Sequence, residues 1–539
     1  MQVMERLGGE PRPHATISVE PDGEDLLVTM QLSREVDTLR LLDPTVVETG
    51  ALQVLTQGVR FTRGALASDQ PFSEVRFRLV QIPPVAAFQH QFYFRLGEGR
   101  MLFAPAIYPD MRAWDASLEF AGESSDWARL PTRELPRGYL FIGPPEMIIE
   151  QNGVRFARDP EINPELDAFI LDAAARSFEW LDQTLGPADD LVRSEPFYVA
   201  SRHGEQDQQL LANVTADGMV SLRFSNAQFD PAAPGAASYT RSLVLHEGVH
   251  FWQSGIVQPG PNTPIWFYEG GAEYLGAIGA LELGWTDQEE FGLRLTDWLN
   301  RCRASLAEVG GVALAELATL DWSQRYDCGA LLQTLTELYL ADAERASSVA
   351  AGWRETIRLA DEEYEGTYDH QTFAEAIGMA DLWERPAIAA IVAESGSRRW
   401  TVVMSELERM GVGIAERSTP HLRARSLLMP LLDSACADRT NGEPFGFYWY
   451  GPIFQLDTPA GCGALAGSPQ IAAVAGHPIA TLDDAAYADL QAICTAGGNI
   501  TIGLLDGTER QMPCDFTLGE PLTERGVVSL PQVPAFNPQ

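Results

Sequence analysis

The segment SYTRSLVLHEGVHFWQSG places His246 and His250 four residues apart, with Glu247 directly after the first histidine. Apolar residues at Leu243, Val244, Leu245, Phe251 and Trp252 give the segment helical character. On a helix, side chains four apart share a face about one turn from each other, which suits two imidazoles on one tetrahedral Zn²⁺. Glu247 then lies beside the ion rather than on it, where its carboxylate can take a proton from the attacking water. Eighteen residues after His250, PIWFYEGGAEYLGAIGALELG opens a second helical stretch whose Glu269 supplies an oxygen ligand. Two imidazoles, one carboxylate and one open position make a catalytic rather than a structural metal site. Glu273, one turn beyond Glu269, is expected to accept the remaining ring N–H of a ligand histidine; an exposed helical glutamate is the alternative.

These residues need a scaffold, and its outline follows from length and pattern. At 539 residues the chain exceeds a single core, so two to four domains are expected. Hydrophobic residues at 45% and charged residues at 21% are those of a globular protein. From about residue 14 to 110, short alternating stretches such as ATISVEP, DLLVTMQLS and VRFRLVQIP read as strands of an all-β domain. Its histidines, His14 and His90, are isolated. Between 138 and 235 strands mix with one long helical stretch, NPELDAFILDAAARSFEWLDQTLG; from 238 to about 410 nearly every segment has helical periodicity. Short strands return after about 433, and PQVPAFNPQ reads as a loose tail.

The balance of 75 acidic against 38 basic side chains gives a formal charge of −37, which argues against a nucleic-acid partner. No apolar run is long enough for a membrane span, and MQVMERLGGEPRPH lacks the apolar core of a signal peptide. Of the six cysteines, Cys302, Cys328, Cys436, Cys462, Cys494 and Cys514, none forms a CxxC pair, and four lie at 436 or beyond. One or two disulfides in a terminal domain are expected, hence a periplasmic or secreted setting; scattered buried thiols are the alternative.

His246 to His250, the eighteen-residue gap and the run Trp266-Phe267-Tyr268-Glu269-Gly270 resemble the gluzincin zinc peptidases, above all the aminopeptidase N family. The resemblance extends over Asp321 to Leu335. There Tyr326-x-x-Gly329-Ala330-Leu331-Leu332 looks like the family's Tyr-x-Lys-Gly segment, which makes Tyr326 the donor to the oxyanion. Cys328 stands where the family has lysine, and the family's Gly-x-Met-Glu-Asn segment, whose glutamate holds the substrate amine, is missing. Its place falls on Gly218 to Phe224, taken as an edge strand without a carboxylate, in which Arg223 favours a negative group. The stretch from about Gly451 to Leu518, with GALAGSPQIAAVAGHPIATLDDAAYADLQAIC and ITIGLLDGTERQMPC, resembles a PDZ domain. An N-terminal β domain, gluzincin core and PDZ domain is also the layout of the glycyl aminopeptidase family, whose gap before the glutamate is longer.

The resemblance implies a multidomain α+β chain: an N-terminal all-β domain (1–135), a thermolysin-like zinc peptidase core (136–430) and a PDZ-like domain with its tail (431–539). The core divides into a β lobe (136–235) and a helical lobe (236–430). The implied activity is zinc-dependent peptide hydrolysis by metal-activated water, with one Zn²⁺ per chain and Glu247 as base. Aminopeptidase action is the family expectation, with endopeptidase or narrow-substrate action open. The rival reading is a catalytically silent relative that binds peptides or proteins; the presence of both histidines, Glu247, Glu269 and Tyr326 speaks against it. His203, His370, His421 and His477 stand alone in the sequence, and no G-x-S-x-G elbow offers a nucleophile. Oligomeric state is open.

Overall fold

The computed structural model describes residues 11–43, 46, 50–62, 64–81, 92–132, 134–136, 138–187, 197–202, 210–214, 219–224, 236–345, 347–436, 446–450, 453–457, 462–467, 469–514, 516–531 and 533–536. His90, His203 and Gly218 lie outside them. The fold is mixed α+β, and its contacts divide it into two units, 1–229 with 247–258 and 230–246 with 259–539. The division falls inside one continuous helix, Ala236–His250.

In the first unit the strands His14–Asp22, Asp25–Arg40 and Ala65–Leu79 form the centre of a six-stranded sheet. Alternation works as read: Ala15, Ile17 and Val19 point inward with Val28, Met30, Val75 and Phe77, all fully buried. Each of these side chains larger than alanine contributes roughly 1.5–3 kcal/mol of burial. A four-stranded sheet follows, running Tyr93–Leu96, Gly99–Phe103, Tyr139–Gly143, Ala128–Leu130.

A five-stranded sheet takes the order Ile148–Gln151, Val154–Arg158, Phe197–Arg202, Met219–Phe224, Leu210–Val214. This corrects the edge-strand reading of Gly218 to Phe224: Met219–Phe224 is interior, parallel to Phe197–Arg202 and antiparallel to Leu210–Val214, which holds the edge. Chain order gave no sign of this, because the later strand inserts inside the earlier one. Helix α1 (Pro164–Leu185) is started by Asn163, whose side chain accepts from Glu165 N–H, and by Pro164 in the first turn. It ends at Gly186, at φ 102°, a conformation only glycine adopts without strain.

The second unit carries most of the helices: α2 (Ala236–His250), which runs across the division, α3 (Ile265–Glu282), α4 (Gln288–Glu308), the single turn α5 (Trp322–Arg325), α6 (Asp327–Asp342), α7 (Val349–Glu362), α8 (His370–Ala376), α9 (Pro386–Val392), α10 (Arg399–Arg409), α11 (Pro420–Ala435) and α12 (Asp484–Thr495). A six-stranded sheet spans Gly446–Tyr450 to Glu509–Pro513. Its core includes Leu427, Leu428, Leu431 and Leu432 of α11 and Tyr487 and Leu490 of α12.

The described part of the tail expected from Pro531 onward is packed instead. Strand Glu524–Ser529 pairs antiparallel with Gly413–Arg417, and Phe536 is fully buried against Phe291, with its carbonyl accepting from Gln288 Nε2 at 2.9 Å. All six cysteines are paired, as Cys302–Cys328, Cys436–Cys462 and Cys494–Cys514. The first bridge, in the helical region, goes beyond the one or two expected in the terminal part. No helix among the described residues is long and apolar enough to cross a membrane.

Candidate metal centre

His246, Glu247 and His250 sit at the end of α2 and are buried, at 5%, 7% and 5% exposure. The residue between Glu247 and Val249 must be small. A Cβ on Gly248 would stand 2.7 Å from Leu181 Cδ1 of α1 and 3.4 Å from the Tyr198 hydroxyl. The Tyr198 phenol is itself pushed well up, first by burial and then by the neighbouring Glu247 carboxylate. Past His250 the helix widens into a π-helical turn, Phe251–Ile256. Trp252 pins this turn, donating its Nε1–H to Gly186 O at 3.0 Å and packing on Phe178 and Phe251.

Helix α3 crosses α2 at Gly276, where a Cβ would come within 3.2 Å of His246 N and 3.3 Å of Ser242 O. Its start is held by aromatic packing: Phe267 stacks on Trp353 at 4.8 Å, and Trp266 meets Trp383 edge-on at 5.7 Å. So fixed, Glu269 brings Oε2 to 3.5 Å from His246 Nε2. His246, His250 and Glu269 each offer a ligand atom, and the three atoms lie within 4.8 Å of one another. Two ligands bonded to one tetrahedral Zn²⁺ at ~2.0–2.1 Å stand about 3.4 Å apart, so the 3.5 Å pair fits the ion as placed.

The outer nitrogens of both rings face oxygen acceptors. His246 Nδ1 is 3.2 Å from Glu273 Oε2, as the sequence reading expected of Glu273. His250 Nδ1 is 3.1 Å from Gln253 Oε1, a partner the sequence reading missed. Neither oxygen can donate, so each Nδ1 carries the proton and each Nε2 the lone pair. Burial pushes the Glu273 carboxyl up, but the His246 hydrogen bond, the charges of Arg294 and His246 and a bond from Trp298 together hold it down at about 2.

Tyr326 closes the turn α5, which Asp321 and Gln324 start with a reciprocal capping box. Its ring centroid is 5.6 Å from that of His246, and Trp322, 63% exposed, stacks on it at 4.0 Å. Helix α3, which carries Glu269, and helix α6, which follows Tyr326, meet in a backbone contact between two glycines. A Cβ on Gly270 would fall 2.2 Å from Gly329 Cα, and one on Gly329 would fall 2.0 Å from Trp266 O. Cys328, where the resembled family has lysine, is bridged to Cys302 of α4. Next to Tyr326, Asp327 is pushed up to about 7 by burial, with Glu273 and Asp297 adding to the rise and Arg301 and Ser323 opposing it.

The remaining histidines are not all solitary. His14 Nε2 meets Ser117 Oγ at 3.0 Å, and His370 packs between Trp266 and Trp383. His421, read as standing alone, shares a cluster with Asp297 and Glu524; three residues from distant parts of the chain leave no local pattern to find.

No protein-family model matches the chain, and no curated protein matches it. Among solved structures, an M1 zinc metallopeptidase mutant from Deinococcus radiodurans is similar at 13% identity and a TM-score of 0.38, over 71% of this chain and 94% of that one. Yeast LTA4 hydrolase is similar at 12% identity and 0.38 in its native form, and at 11% and 0.40 in complex with bestatin, each over 71% of this chain and 68% of that one. At these identities and TM-scores the likeness assigns neither a family nor an activity.

Proposed function

We propose that the chain is a zinc-dependent peptidase, with His246, His250 and Glu269 as metal ligands and Glu247 as general base. The observation that carries the reading is the 3.5 Å approach of Glu269 to His246 Nε2, in a cluster whose two imidazoles are both braced on the outer side. The donor set of two nitrogens and one oxygen suits Zn²⁺, which when bound supplies Lewis acidity and makes water a better nucleophile. Glu247, buried beside the ligands, accepts the proton of the attacking water and passes it to the leaving amine. Tyr326 donates its hydroxyl to the oxyanion that develops on the scissile carbonyl. Glu273 and Gln253 fix the two imidazoles in the ligating tautomer.

Peptides are the proposed substrates, and aminopeptidase action is the preferred form. The three-part division at 135 and 430, a PDZ-like role for the C-terminal sheet with α12, and an extracytoplasmic location are part of the same reading. Three disulfides support the last.

The test is Glu247→Gln in the full chain. The variant should keep one zinc at the site and lose turnover on a peptide library by about 10²–10⁴-fold, the range general-base catalysis supplies. Normal turnover would remove Glu247 from the chemistry. Matched peptides with free and acetylated N-termini then separate exo from endo action, since faster cleavage of the acetylated member rules out an aminopeptidase.

A further inference from the structure

We propose that Asp297, His421 and Glu524 form a second divalent-metal site, structural in role and separate from the first centre. The three come from α4, the first turn of α11 and the first residue of strand Glu524–Ser529. Each offers a ligand atom, the three lie within 4.8 Å of one another, and all three residues are half-buried. An independent observation is that Glu524 Oε1 is buried with no hydrogen-bond partner. A buried carboxylate oxygen left unpaired is destabilising, and a bound cation removes that cost.

The surroundings favour an ion over an arginine as the missing partner. Arg301 Nη2 stands 3.8 Å from Asp297 Oδ2, beyond hydrogen-bonding reach, and Arg417 Nη1 is committed to Val527 O at 2.8 Å. The imidazole is held in place by the buried N-cap residue of α11, Thr419, whose Oγ1 is 3.0 Å from His421 Nδ1. Such a hydroxyl contact is the kind that orients a ligand histidine. One nitrogen and two carboxylates suit Zn²⁺ or Mn²⁺; an imidazole argues against Ca²⁺. An ion there would clasp the returning C-terminal strand and α11, whose leucines belong to the C-terminal core, onto α4.

The experiment measures metal stoichiometry and thermal midpoint in the full chain. Apo protein is titrated with Zn²⁺ and with Mn²⁺ by calorimetry, in the parent, in a His246→Ala, His250→Ala double variant and in His421→Ala. Two Zn²⁺ equivalents are expected in the parent and one in each variant. In the double variant the remaining equivalent should raise Tm by several degrees. Glu524→Gln, nearly the same size, stands in should His421→Ala not fold, and should also lose one equivalent. A parent with one equivalent that persists in the double variant supports this site and removes the catalytic one. No binding by the double variant, or two equivalents retained by both His421→Ala and Glu524→Gln, overturns the proposal.

Discussion

The two histidines proposed as ligands are braced by different chemistry, a carboxylate for His246 and a neutral amide for His250. Both orient the ring, but only the carboxylate adds negative charge behind it, which makes His246 the stronger donor. Gln253→Ala should therefore weaken Zn²⁺ binding by about 10- to 100-fold, read by competition with a chelating dye, and leave the fold intact. Unchanged affinity would mean that the π-helical turn alone orients His250. Tyr326 calls for a different readout, since its proposed role is to act on the transition state. Tyr326→Phe should lower kcat by roughly 10²-fold with KM nearly constant. A rise in KM at constant kcat would recast the phenol, with the exposed Trp322 stacked on it, as a substrate contact.

At the scale of elements, α3 and α6 meet through Gly270 and Gly329 with no room for a methyl group. Glycine to alanine inside a helix usually stabilises by up to about 1 kcal/mol. Gly270→Ala should reverse that sign and cost on the order of 3 kcal/mol, because the new Cβ meets backbone that cannot turn aside. Urea unfolding measures it, and a midpoint equal to the parent's would show that the helices separate freely. What sequence reading reached and what it missed follow the same division. The grouping of His246, His250, Glu269 and Glu273 was legible because it is that of two helical pairs, each four residues apart, with eighteen residues between them. The Gln253 contact depends on a local widening of the helix that no residue type announces. The place of Met219–Phe224 inside its sheet, the partner of Cys328 and the company of His421 all depend on pairings between remote segments. Phe536, read as part of a loose end, was lost because one buried ring has no period.

For the whole molecule, the surplus of acid, −37 in formal charge, makes pH and salt the natural levers. Glu337 is a buried acid within that surplus. It accepts from Val349 N–H at 2.8 Å and Tyr274 OH at 3.2 Å, yet burial pushes its carboxyl up to about 7. Since the folded value lies above the unfolded one near 4.3, the folded state binds the proton more tightly. That stability is complete below about pH 4 and is lost as pH rises through about 7. Glu337→Gln keeps an acceptor and cannot ionise, so at pH 8 it should exceed the parent by roughly 3 kcal/mol, an advantage that vanishes near pH 4. Denaturation across that range checks it; a difference that does not vary with pH would place the titration elsewhere. The cysteines add a consequence for how the chain is made. Each is bridged to the next one along, first to second, third to fourth and fifth to sixth, out of fifteen possible connectivities. A chain threading out of a ribosome or translocon therefore offers every thiol its correct mate before any later one arrives. Oxidation in order of synthesis reaches the native set without reshuffling. A fully reduced, denatured chain has no such queue, so refolding it from denaturant should depend on a disulfide isomerase while its biosynthesis does not.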